Sequence, residues 1–233
     1  MADELLTEQQ QAENVKHWVQ QNGLVLAAGV VLGLGLLFGV NQWRNYQERH
    51  AEQASDVYES LLQAVRSNQV SQAETGLATL TADYGSTPYT DLARMSVAHL
   101  YLEQGQADQA AELLRKVVDS AATTEIQLIA RLRLARVLNQ QEKFDEALKV
   151  LTDPKSAAYA PAYHDVRGDV YFAMGKFDEA RSQYEQALHG DDAAVVIDRA
   201  YVEAKLDDLG GALTPEVTPE MASKVTSDIK AEK

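Results

Sequence analysis

The chain contains no cysteine. Disulfides, thiolate metal sites and cysteine nucleophiles are thereby excluded, while the redox compartment stays open. Cations are scarce as well: 21 Lys and Arg stand against 35 Asp and Glu, a formal charge of −14. Nucleic acid is therefore not an expected partner, because phosphate binding needs a basic face. Only five of the 233 residues are proline. The abundant residues are Ala, Leu, Gln, Glu and Asp, a composition that favours helix. No H-E-x-x-H or G-x-S-x-G occurs, and His17, His50, His99, His164 and His189 fall at no metal-ligand spacing. The carboxylates are spread along helical patterns and read as solvated faces. No catalytic residue, cofactor or metal is expected, and the chain does not read as an enzyme.

What is present is one long apolar run. Gly23 to Val40 reads GLVLAAGVVLGLGLLFGV, without a charge or an amide. As a helix it spans roughly 27 Å, close to a hydrocarbon core of about 30 Å. Eleven of its residues are Leu, Val or Phe. They contribute an insertion term of about −4 kcal/mol, partly offset by the glycines. Trp18 and Trp43, the only tryptophans, bracket it, about 37 Å apart along a helix, which suits the two interfacial belts of a bilayer. A buried core helix would carry a polar face. A cleaved signal peptide would have a shorter apolar run and a small-x-small site, whereas Asn41-Gln42-Trp43-Arg44 follows here. The segment is read as a single uncleaved transmembrane helix in a lipid bilayer. Its glycines form two G-x-x-x-G sets, Gly29/Gly33 and Gly35/Gly39. These either admit a partner helix or reflect the ordinary frequency of glycine in such helices. Lys16 on one side and Arg44 and Arg49 on the other leave the orientation undecided by charge.

Residues 1–22 are polar, and Thr7 with Gln10 forms a capping box that predicts a short helix before the span. After it the helical pattern continues to about Asn68, with Val57, Leu61, Ala64 and Val65 as an apolar stripe. The chain then repeats itself. ARMSVAHLYLEQGQADQAAELLRKVV from Ala93, ARLRLARVLNQQEKFDEALKVL from Ala130 and YHDVRGDVYFAMGKFDEARSQYEQAL from Tyr163 each read as an apolar helix, a polar turn and a second helix. In the third, Gly168, Tyr171, Gly175, Phe177, Ala180, Tyr184 and Ala187 fit the tetratricopeptide pattern. Small residues at Gly168 and Ala180 let the paired helices close up, and Tyr171, Phe177 and Tyr184 fill the space beside them.

Equivalent alanines stand at Ala73, Ala110, Ala147 and Ala180, spaced 37, 37 and 33. The longer spacings predict slightly longer connections than usual. The expected fold class is all-α: one N-terminal transmembrane helix, then a TPR-like helical-repeat superhelix. The expected divisions are 1–22, an N-terminal segment; 23–40, the membrane helix; 44–209, four helix pairs plus a capping helix; and 210–233, a tail. The capping helix, 194–209, would present Val196, Ala200, Leu206 and Leu209, and Gly210-Gly211 would end it. The tail carries two Thr-Pro-Glu helix starts and a thin stripe of Met221, Val225 and Ile229. It reads as loosely ordered or as a docked helix.

Stacked helix pairs bind partners on the face lined by their first helices. In register with the repeat these positions are Met95, His99 and Leu102, then Leu132, Arg136 and Asn139, then Asp165, Asp169 and Phe172. Each of them could equally be an ordinary solvated or core residue. A carboxylate clamp would start with Lys or Asn where Met95 and His99 stand, so the mixed groove suits an extended chain or a partner helix better.

An acidic N-terminus, one glycine-rich span ending in NQWRNYQ, and a divergent tetratricopeptide domain that includes GKFDEA at Gly175 to Ala180 resemble, over essentially the whole chain, the bacterial ancillary subunit of the SecYEG translocon, the YfgM family. The resemblance implies a single-pass protein of the bacterial inner membrane, with a cytoplasmic N-terminus and periplasmic repeats. It implies partnership with the SecYEG translocon, with the membrane-anchored periplasmic chaperone PpiD and with exported unfolded polypeptides. The implied role is protein transport and the folding of exported proteins. The alternative is a membrane-tethered scaffold for another envelope complex with no role in export.

Overall fold

The computed structural model describes residues 8–189 and 197–210. These are all helix and connection, with no strand among them. Two compact units result, Met1–Asp56 and Val57–Lys233. In the first, α1 (Glu8–Arg66) carries the apolar run. No single helix among the described residues is long and apolar enough to cross a membrane. The arms Ala12–Val25 and Ala27–Arg66, bent by 52°, together meet the length and composition such a crossing needs. The bend falls near the start of the membrane helix expected at Gly23–Val40. Gly23 and Gly29 flank the bend, where missing side chains leave the helical ladder least braced. A Cβ added at Gly29, Gly33, Gly35 or Gly39 would meet nothing within 4 Å. Thr7 of the expected capping box lies outside the described residues.

In the second unit, the end of α1 pairs with α2 (Val70–Asp83), α3 (Pro88–Glu103) with α4 (Ala107–Ser120), α5 (Thr124–Gln140) with α6 (Phe144–Val150), and α7 (Ala160–Ala173) with α8 (Phe177–Leu188). α9 (Arg199–Asp208) packs on α8. All four equivalent alanines, Ala73, Ala110, Ala147 and Ala180, are fully buried. Five residues before each of them the chain enters the left-handed region, at Asn68, Gly105, Glu142 and Gly175 (φ between 56° and 74°). There each first helix ends in the same motif. The N–H groups of Gln69, Gln106, Lys143 and Lys176 donate to the carbonyls of Ala64, Tyr101, Leu138 and Tyr171, the reversed hydrogen bond that closes a helix C-terminus.

The 37-residue spacing has a different origin from the one expected. The α2–α3 and α4–α5 connections, 84–87 and 121–123, are shorter than the α6–α7 connection, 151–159. The additional residues lie in the helices: α3 and α5 have 16 and 17 residues against 14 in α7. α2 and α4 have 14 each against 7 in α6. Pro154 explains the short α6, because it lacks an N–H and drives the residue before it out of helical geometry.

The capping helix starts at Arg199, with the Asp198 side chain accepting the Tyr201 N–H. Its buried face is Val202 and Leu206, with Leu209 packed beside them. Ala200 points to solvent, because it lies two residues from Val202 and hence on the opposite side of the turn. Val196 and the tail, 211–233, lie outside the described residues. In the fourth pair Tyr184 is buried, but Phe177 is 51% exposed and stacks edge-on against Phe172 at 5.6 Å. Phe177 is the first residue of α8 and meets α7 only at its exposed end, so it does not fill the inter-helix space.

Candidate partner-binding groove

The first helices of successive pairs lie side by side, α3 on α5 and α5 on α7. This brings the predicted groove positions together on one face, with two adjoining cavities. The first holds about 540 Å³. Met95, His99 and Leu102 of α3 and Arg136 of α5 line it, joined by Leu62, Val65 and Arg66 at the end of α1 and by Arg133 of α5. The second holds about 550 Å³. Arg136, Asn139, Asp165, Asp169 and Phe172 line it, joined by Ile197, Tyr201 and Lys205. Arg136 is common to both. Leu132 lines neither. It is 5% exposed and belongs to the core that runs from α3 to α7, although it lies one helical turn from Arg136.

The two cavities differ in charge. In the second, the Lys205 ammonium reaches from α9 to Asp165 Oδ1 at 2.8 Å and Asp169 Oδ1 at 2.6 Å. Tyr184 donates its hydroxyl to the same Asp169 oxygen at 2.9 Å. The ammonium also sits 4.7 Å from the Tyr201 ring centroid and 5.5 Å from that of Tyr184. Burial pushes the Asp165 carboxyl up, with Lys205 pulling against it. Burial works against the charge on Lys205 too, but its bonds to Asp165 and Asp169 prevail and hold it above its ordinary value. Burial, then Asp169, push the Tyr184 phenol up. One ammonium from within the chain thus serves both carboxylates and offsets one of their two charges. Asn139 adds a shielded side-chain oxygen that has no hydrogen-bond partner among the described residues.

The first cavity has an apolar floor, formed by Leu62, Val65, Met95, Leu102, Leu114 and Val137. Arg66, Arg133 and Arg136 stand at its exposed rim. His99 is also exposed and meets Glu103 at 3.3 Å. Among the described residues no group of three or more His, Asp or Glu could hold a metal ion. The arrangement suits binding of a polypeptide: apolar walls to take side chains and charged groups to fix register. Sequence register alone missed Leu62, Val65 and Arg66, which come from the most degenerate unit. It also missed Arg133, one helical turn from Arg136, and Lys205 and Tyr201, which reach in from the capping helix.

Repeated helix pairs stacked in this way define a helical-repeat protein. The tetratricopeptide repeat-like domain family matches residues 16–211. A curated relative from Escherichia coli (strain K12), named "Ancillary SecYEG translocon subunit", is 31% identical over 79% of this chain and 88% of its own length. A second with the same name, from Neisseria gonorrhoeae, is 30% identical over 78% of this chain and 88% of its own. The chain belongs to the tetratricopeptide repeat-like family, and within it to the family of the ancillary SecYEG translocon subunits. Among solved structures, nearly identical TPR-like repeats from Podosopora anserina superpose with a TM-score of 0.54 at 20% identity. They cover 78% of this chain and 95% of that one, a likeness of fold alone.

Proposed function

We propose that the chain is a non-enzymatic accessory subunit of the Sec protein-translocation channel. The observation that carries this reading is its kinship, at 30–31% identity over most of both chains, with relatives named for that channel. In this reading the apolar segment of α1 anchors it in the bacterial inner membrane. Leu24, Val31, Leu32, Leu36, Leu37 and Phe38 are each at least 68% exposed, a concentration of apolar surface suited to lipid and costly in water. The N-terminal segment lies in the cytoplasm and the repeats in the periplasm. There the groove of α3, α5 and α7 receives a polypeptide partner, either the anchored chaperone PpiD or a newly exported chain. By holding that surface at the channel exit, the protein raises the effective concentration of partner and client and helps exported proteins fold.

Crosslinking in native membranes tests it. A photoreactive side chain at Arg136 is expected to capture the chaperone or an exported chain, and one near Trp43 a channel subunit. Recovery of none of these sinks the proposal. The missing cysteines make the topology testable too. A Ser120→Cys chain should react with an impermeant thiol reagent in intact spheroplasts, and reaction only after lysis would place the repeats in the cytoplasm.

A further inference from the structure

We infer that the cavity between α1, α3 and α5 is a docking groove for an acidic, amphipathic segment of another protein. The segment's apolar side chains would enter the floor of Leu62, Val65, Met95, Leu102, Leu114 and Val137. Its carboxylates would meet Arg66 and Arg133 at the rim. This rests on the reading above that the groove receives a polypeptide, and it specifies which kind.

Charge complementarity carries the inference. The chain has a surplus of 14 acidic groups over basic ones (35 − 21), so an arginine has no shortage of partners at home. Arg94, Arg115, Lys116, Lys143, Arg181 and Lys205 all pair with carboxylates. Other cations, such as Lys149 and Lys155, also have no carboxylate partner among the described residues, but Arg66 and Arg133 are set apart by place. Among the described residues neither side chain makes a hydrogen bond or ion pair, and both are exposed beside the same apolar cavity. Arg133 and Arg136 are three residues apart on α5, hence on one face of it, and guanidinium groups are suited to gripping carboxylates two oxygens at a time. The second cavity offers no such field, because Lys205 already occupies its two carboxylates. The long-range field of a −14 chain repels an acidic partner. Recognition is therefore short-range, with burial of apolar side chains supplying the attraction and the arginines supplying the choice between partners.

The test uses the full-length chain in detergent micelles and three fluorescein-labelled 16-residue peptides. One has leucines at helical spacing with glutamates between them, one has lysines in place of the glutamates, and one has serines in place of the leucines. Fluorescence anisotropy is expected to show the glutamate peptide binding about tenfold tighter than the lysine peptide, and the serine peptide not binding. Arg66→Gln with Arg133→Gln should erase the preference, and Arg66→Glu with Arg133→Glu should reverse it. Both arginines are exposed and without partners, so helical circular dichroism and the urea midpoint should stay as in the parent chain, which separates lost recognition from lost fold. A lysine peptide that binds as tightly as the glutamate peptide would overturn the inference, as would a preference that survives charge reversal.

Three further outcomes also overturn it. A peptide of residues 211–233 that displaces the glutamate peptide more strongly than the latter displaces itself would give the groove to the chain's own tail. Self-association lost in the charge-reversed variant would give it to a second copy. Stronger competition by short-chain phosphatidylglycerol than by peptide would give it to lipid. The crosslinking described above keeps this test separate from the proposed function. A chain that crosslinks to the channel but shows no acidic preference refutes the inference alone. Acidic preference without crosslinking refutes the function alone.

Discussion

Replacing Gly168 with alanine tests the packing that shapes the second cavity. A Cβ at Gly168 would lie 2.3 Å from Tyr184 Cε1, 2.5 Å from Cδ1 and 2.9 Å from Cζ. All three distances are shorter than a carbon–carbon contact allows, so the ring or the helix has to move by about 1 Å to restore one. The ring is not free to do so. It is 2% exposed, its hydroxyl is bonded to Asp169, and Lys205 lies over its face. Overpacking of this kind costs about 3 kcal/mol, at the upper end of the usual range. Alanine in place of glycine within a helix returns about 1 kcal/mol. The net expectation is a loss of about 2 kcal/mol, or roughly 4–8 °C in Tm for a unit of this size. The assay is urea unfolding of the full-length chain in micelles, followed by circular dichroism, with the slope unchanged and the midpoint lowered. Tyr184→Leu removes the obstructing ring, so Gly168→Ala in that background should be neutral or stabilising, a coupling of about 2–3 kcal/mol. A neutral or stabilising effect of Gly168→Ala in the parent chain would refute the reasoning.

Glu142 is the left-handed turn residue where its counterparts in two other pairs are Gly105 and Gly175. Glu142→Gly should therefore stabilise by about 0.5–1 kcal/mol, visible as a higher urea midpoint. Lys205→Met leaves Asp165 and Asp169 without their cation, and with side-chain exposures of 11% and 28% the cost is about 2–4 kcal/mol, somewhat below that of a fully buried pair. Losing the lysine removes what holds the buried Asp165 carboxyl down and raises it further. The variant's deficit should accordingly shrink as the pH falls and that carboxyl takes up its proton, so a deficit equal at pH 7 and about pH 4.5 counts against it. Tyr163 is pushed up to about 12 by burial, and Tyr101 to about 12 by burial and then Glu74. Both phenols keep their protons longer folded than unfolded. Their stabilisation is complete below about pH 10 and lost as the pH rises towards 12, Tyr163 alone giving up about 2 kcal/mol. Urea midpoints at about pH 9 and pH 11.5 measure it, and equal values would exclude the effect.

The repeats were legible because their signal is internal to each pair. An alanine where two helices touch leaves the same mark at Ala73, Ala110, Ala147 and Ala180, and every one of them is fully buried. Periodicity could not locate the extra residues, since Pro154 shortens α6 and lengthens the connection behind it without disturbing the apolar pattern. The groove was legible only in part. Met95, His99, Leu102, Arg136, Asn139, Asp165, Asp169 and Phe172 follow from repeat register, and the two cavities bring them to one face. Leu132 shares that register, yet it is buried in the core, and register alone does not tell a core position from a groove position. Arg66 and Lys205 lie more than a hundred residues apart in the sequence, and only the stacking of pairs sets both beside Arg136. No pattern within one repeat encodes such neighbours.

The short α6 has a consequence for cooperativity. The buried core from α3 to α7 is one cluster, while Ala180, Tyr184, Ala187, Val202 and Leu206 form another. With α6 ending at Val150, one of the two layers joining the third pair to the fourth is half the length of its counterparts. In a linear array each unit is held only by its neighbours, so an unfolding boundary settles at the thinnest interface. Amide protons of α7 to α9 should exchange as one group, ahead of those in α3 to α5. The hydroxyl of Tyr163, which donates to the Leu128 carbonyl, is a bond across that boundary.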